Sequence, residues 1–173
     1  MDIQALIQTV RSAEDDQTLR NAVTVAIPKL DSAGLDLLWQ ALKQKSDELY
    51  RANTQRALAM ANWMLELAEC SAKPHHRAVS LLALANVYCL GLCEYRNAVD
   101  CYNQAAEIYA EQGMLVAQAQ SQIGKILALS NLGRFKEALA SGEWACEVLA
   151  EHGEILLQAR VLVNMAILRG RLG

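Results

Sequence analysis

One phrase of the chain occurs twice. Glu94-Tyr95-Arg96-Asn97-Ala98-Val99 returns as Arg134-Phe135-Lys136-Glu137-Ala138-Leu139, so Tyr95 and Phe135 stand 40 positions apart, as do Ala98 and Ala138. A glycine closes the stretch after each copy, in Glu111-Gln112-Gly113 and in Glu151-His152-Gly153. A fixed period of this size means one supersecondary unit stacked on itself, because a single unit cannot bury its apolar face alone. Any fold proposed for the chain has to honour that period.

The apolar spacing within the period is helical. Leu35, Leu38, Trp39 and Leu42 follow the i, i+3, i+4, i+7 pattern of one buried helix face. Asp31 or Ser32 caps that helix. Asn53 or Thr54 caps the next, which turns Ala57, Leu58, Ala61, Met64, Leu65 and Ala68 inward. Pro74 suits the first turn of a helix, and Pro28 stops an earlier one. Gly113 fits the left-handed residue that ends a helix. The last helix starts near Ile155, with Leu156, Ala159, Leu162, Val163 and Ala166 expected inward. The β-branched and aromatic runs that mark strands are missing, which predicts an all-α chain.

These elements divide the chain. Residues 1–30 carry two short helices unlike the rest, an expected N-terminal cap. Residues 31–173 form the array: a degenerate unit over 31–73, full units over 74–113 and 114–153, and half a unit over 154–173. Leu172-Gly173 matches Leu132-Gly133, which leads into the second helix of its unit. The expectation is therefore a piece of a longer protein, or a last face buried by self-association, since terminal units need a polar outer face.

Particular residues carry a resemblance. Ala85 and Gly124 stand near the middle of the first helices, and Cys93 and Gly133 at the turn. Tyr95 and Phe135 open the second helices, and Ala57, Ala98 and Ala138 hold a small position within them. In this the chain resembles the tetratricopeptide repeat (TPR), with a period of 40 to 41 rather than the family's usual 34. The long-helix form resembles arrays in kinesin light chains, in large bacterial transcription activators and, most closely, upstream of bacterial caspase-like CHAT domains. The resemblance implies a right-handed α-solenoid of about nine helices in antiparallel pairs. It also implies a scaffold that binds a protein or peptide and regulates a linked effector.

Charge and composition narrow the function classes. A formal net charge of −3 and the lack of a basic run argue against nucleic acid. The longest apolar runs fall well short of the ~20 residues a membrane span needs. The first residues lack the layout of a signal peptide, and five cysteines at helical positions read as reduced thiols, so the expected compartment is the cytoplasm. No enzyme activity and no cofactor is expected. No Gly-rich phosphate loop or nucleophile elbow is present.

Three groups of residues invite a chemical role. Cys89, Cys93 and Cys101 with His75 and His76 have a loose metal-ligand spacing, but thiols buried in helical cores explain the cysteines better, and no metal is expected. Glu107, Glu111, Glu147 and Glu151 recur at matching places, as a solvated face does. Asn86, Gln118, Ser121, Gln122, Lys125, Arg160 and Asn164 fall on the first helices, where the resemblance puts the inner groove. Their amides and cations suit an extended peptide with one or two acidic groups. An ordinary solvated helix face accounts for them equally well. Trp39 is expected in the core, and Trp144 at a helix edge is a candidate anchor for a second copy.

Overall fold

The computed structural model describes residues 2–71 and 73–171. Leu172-Gly173 lies outside the described residues. Nine α-helices and no strand occur among the described residues: α1 (Ile3–Ser12), α2 (Asp16–Ala26), α3 (Ser32–Ala52), α4 (Thr54–Glu69), α5 (Pro74–Asn86), α6 (Tyr95–Glu111), α7 (Leu115–Asn131), α8 (Phe135–Glu151) and α9 (Ile155–Gly170). A 3-10 turn over Ile27–Lys29 follows α2, and a π-helical turn over Val87–Gly91 follows α5. Among the described residues no helix is long and apolar enough to cross a membrane.

Two kinds of helix start divide the chain. The early helices are capped by side chains: Asp2, Asp15, Asp31 and Asn53 accept backbone N–H groups of Gln4, Thr18, Gly34 and Arg56. Helix α5 opens on Pro74, which lacks one of the N–H groups a helix start leaves unpaired. From α6 onward no side chain caps the N-terminus. The tight turns do that work. Gly113, Gly133 and Gly153 have φ of 65°, 73° and 71°, and the backbone N–H of Met114, Arg134 and Glu154 reaches back five residues to Tyr109, Leu129 and Leu149. Each of these turns takes three residues, so the next helix doubles back on the last.

The fourth turn of this kind is irregular. Cys93 takes the left-handed conformation, φ 58°, where the others have glycine. The N–H of Glu94 reaches back six residues, to Tyr88, because the π-helical turn holds one residue more than an α-helix would. This corrects the register expected from the sequence. Tyr88 corresponds to Leu129, so residues before the turn are offset by 41. The counterpart of Gly124 is then Ala83, not Ala85, although both alanines are fully buried. A π insertion leaves no mark in composition: a count of 40 back from Gly124 lands one residue off, on Leu84, and Ala85 lies 39 away.

Successive helices pack on each other, apart from α2 and α3, and each odd-numbered helix also packs on the next odd-numbered one. Most polar contacts between distant parts of the chain follow a similar spacing. Asp16–Arg56, Trp39–Ser80, Asp47–Asn86, Ile123–Asn164 and Ser130–Arg171 are separated by 40, 41, 39, 41 and 41 residues. The period of the sequence is thus also the period of its side-chain contacts. Ala57, Ala98 and Ala138 are fully buried, with Tyr95 and Phe135 half-buried beside the core. Small residues at these positions let backbones approach, and large ones fill the wedge. Helix α1 packs on α3, and α2 docks on α4 through the Asp16–Arg56 pair at 2.6 Å and through Arg20 over the Trp63 ring at 5.1 Å.

The last helix turns the other way from expectation. Leu156 is 82% exposed and Val163 58%, and Ala159, Leu162 and Ala166 are exposed too. Val161, Met165 and Leu168 face inward instead. Helix α9 is apolar nearly all round, so periodicity offers several faces, and only the face toward α7 and α8 has neighbours.

Candidate functional site

A groove of about 730 Å³ is lined mainly by the odd-numbered helices. Helix α3 supplies Lys43 and Asp47, and α5 supplies Leu82 and Asn86. Helix α7 adds Ser121, Ile123, Gly124 and Leu127, and α9 adds Leu156, Arg160, Val163 and Asn164. The wall mixes aliphatic and polar side chains, and four of the polar groups are tied to one another. Lys43 pairs with Asp47, whose other oxygen accepts from Asn86 Nδ2 at 2.8 Å. Asn86 Oδ1 accepts in turn from the Tyr102 hydroxyl at 2.7 Å. Burial holds the Tyr102 phenol well above its ordinary value, so it remains a donor.

This chain of bonds depends on a glycine. The Tyr102 ring occupies the space a β-carbon on Gly124 would need. The complementary arrangement recurs one period later with the partners exchanged: Gly142 on α8 leaves room for Met165 of α9, whose Sδ lies 2.7 Å from where a β-carbon would stand. Arg160, at the other side of the groove, is exposed and has no ion-pair partner among the described residues. Asn164 spends its amide N–H on the Ile123 carbonyl at 2.7 Å, which leaves its own Oδ1 toward the groove.

The seven residues expected in one groove are divided between two. Asn86, Ser121, Arg160 and Asn164 line the large one. Gln118, Gln122 and Lys125 line a second groove of about 430 Å³ with Glu107, Ser141 and Trp144, between α6 and α8. On α7 the two sets point to opposite sides, because positions 118, 122 and 125 share a face that Gly124 and Leu127 do not. Lys125 is half-buried, and desolvation pushes its pKa down, with Glu137 and Glu107 only partly offsetting this.

The cysteines and histidines do not form one cluster. Cys89 and Cys101 are buried, and burial raises both thiols to about 11. Among the described residues, the one grouping of three potential metal ligands is Asp36, His75 and His76. The four carboxylates Glu107, Glu111, Glu147 and Glu151 are all exposed. Trp39 is buried against His76, Trp63 is buried under Arg20, and Trp144 is half-buried at the edge of the second groove.

A scan against protein-family models finds no match, and no curated protein matches the chain at a significant level.

Lys43, Asp47 and Asp36 are not among the residues the sequence nominates. A signal for two of them was available. Asp47 precedes Asn86 by 39 residues and Asp36 precedes His76 by 40, so pairing polar residues one period apart would have nominated both.

Proposed function

We propose that the chain is a non-catalytic interaction module that takes an extended, acidic peptide segment of a partner protein along the groove of the odd-numbered helices. The observation that carries this reading is Arg160, an exposed guanidinium with no ion-pair partner among the described residues, set beside Leu156, Ala159 and Val163 on the groove wall. Such a group favours a carboxylate through charge-assisted, bidentate hydrogen bonds. The aliphatic residues beside it offer pockets for apolar side chains of the same peptide. The architecture we propose is a right-handed α-solenoid of the long-helix TPR type, with residues 1–30 as its cap and units beginning near residues 31, 74, 114 and 154. Polar contacts at the period of the sequence and packing confined to near neighbours support it. Its sequence resemblance to arrays beside CHAT domains makes a linked caspase-like peptidase the effector that such a module would regulate.

The test is selection of extended peptides on the immobilised chain, followed by anisotropy titrations of the winners. Selected peptides should carry one or two Asp or Glu among aliphatic residues. Arg160→Glu should abolish their binding, while Lys125→Glu, in the other groove, should leave it within about twofold. Peptides that bind Arg160→Glu as well as the parent would sink the proposal.

A second reading has its own support. Ile155, Leu156, Leu162, Val163 and Ile167 are all exposed on α9, a large apolar strip for one helix. Under this reading α9 pairs with α9 of a second copy. Sedimentation should then show dimers that Ile155→Lys with Leu162→Lys converts to monomers. A monomer at every concentration rules it out.

A further inference from the structure

The junction of α3 and α5 holds a cluster that the peptide groove does not use. His75 Nε2 and His76 Nε2 lie 2.8 and 2.9 Å from the same atom, Asp36 Oδ1. The three ligand atoms are all within 4.8 Å of one another. Lys73 Nζ approaches that oxygen as well, at 2.7 Å. One carboxylate oxygen offers about two lone pairs. Three donors therefore crowd a single acceptor, and the position they crowd suits a cation.

The surroundings hold the ligands in place. His76 is fully buried and stacks on Trp39, with ring centroids 4.1 Å apart and planes 7° from parallel. Its second nitrogen, Nδ1, lies 2.6 Å from Ser71 Oγ. This is the outer-shell contact that fixes the ring and tautomer of a metal-binding histidine. Asp36 and His75 are partly open, 44% and 24% exposed at their side chains, which gives an ion a way in and leaves room for a water.

We propose that Asp36, His75 and His76 form a divalent transition-metal site of the zinc class, in which Lys73 stands in for the ion when none is bound. Two imidazoles and a carboxylate are donors that zinc accepts, with water in the fourth position. On binding, the Lys73 ammonium moves off and keeps its bond to the Ser32 carbonyl. Both imidazoles then bind through Nε2 and carry their proton on Nδ1, where His76 donates it to Ser71 Oγ. The ion would tie α3 to the first turn of α5.

The test is titration of the full chain with Zn(II) by calorimetry and with Co(II) by absorbance. We expect one equivalent of either metal, and four-coordinate Co(II) bands with no sulfur charge-transfer band. His75→Ala and Asp36→Asn should each weaken binding by about a hundredfold while the helical circular dichroism is kept. Lys73→Met should tighten it by about tenfold, because a competing charge is removed. The proposal is overturned by no uptake in Lys73→Met, by uptake that His75→Ala leaves unchanged, or by a sulfur charge-transfer band, which would place the ion on cysteine.

Discussion

Tyr102 and Gly124 occupy one volume between them: the phenol ring of the first fills the space that any side chain on the second would need. The same ring carries the hydrogen bond to Asn86 that organises the groove wall. Gly124→Ala should cost about 1–3 kcal/mol through overpacking. Tyr102→Phe should cost about 1–1.5 kcal/mol, because it leaves the Asn86 carbonyl oxygen without its donor. With Tyr102→Leu in place, Gly124→Ala should cost less than it does alone, since the residues share one space. Denaturant unfolding of the four proteins in that cycle checks this.

Cys93 bears a left-handed backbone without being glycine. A side chain there costs about 1–2 kcal/mol, of which the greater freedom of an unfolded glycine takes back part. Cys93→Gly should therefore stabilise the protein by about 0.5–1 kcal/mol, and Cys93→Val should destabilise it. The equivalent test at Gly133 runs the other way, with Gly133→Ala costing about 1 kcal/mol.

Ser46 is fully buried, and among the described residues its hydroxyl has no hydrogen-bond partner. Such a group loses its water for nothing in return. Ser46→Ala should raise stability by about 1 kcal/mol, seen as a higher melting temperature with an unchanged helical spectrum.

The thiols separate by burial. Cys70 and Cys93 are exposed, while Cys89 and Cys101 are buried and raised to about 11. Near pH 8, thiol reagents should modify the first pair quickly and the second only on unfolding. For the buried pair the folded value lies above the ordinary 9.0, so the folded chain holds these protons more tightly. Their contribution to stability is complete below pH 9.0 and is lost as the pH rises through about 11. Replacing both by Ala should flatten the alkaline part of the stability profile.

Lys125 is half-buried without an ion-pair partner among the described residues. Lys125→Met keeps the stem and removes a desolvated charge. The melting temperature should rise, and a fall would mean that Glu107 and Glu137 do more for the lysine than its burial takes away.

Much of this fold was legible because its punctuation repeats. Gly113, Gly133 and Gly153 mark their turns in the sequence, and the structure finds a left-handed residue at each. Ala57, Ala98 and Ala138 were readable as small positions for the same reason. Two features were not readable. The extra residue of the π-helical turn moves the counterpart of Gly124 by one position, to Ala83, and no residue type announces it. The inward face of α9 depends on which side has neighbours, and in a helix apolar nearly all round the sequence does not contain that choice. The grooves show the same division. Arg160 and Asn164 line the first groove, but the split of Gln118, Gln122 and Lys125 to another side of α7 arises from how α6 and α8 flank it.

Packing confined to near neighbours has a mechanical consequence. No contact among the described helices fastens one end of the chain to the other, so tension applied at the two ends loads the helix seams in series. Under a pulling force the protein should lengthen like a soft spring and give way seam by seam at low, similar forces. One abrupt rupture of the whole molecule would speak for a clasp that spans it. A module built this way would transmit strain from a tethered partner as a graded change in length.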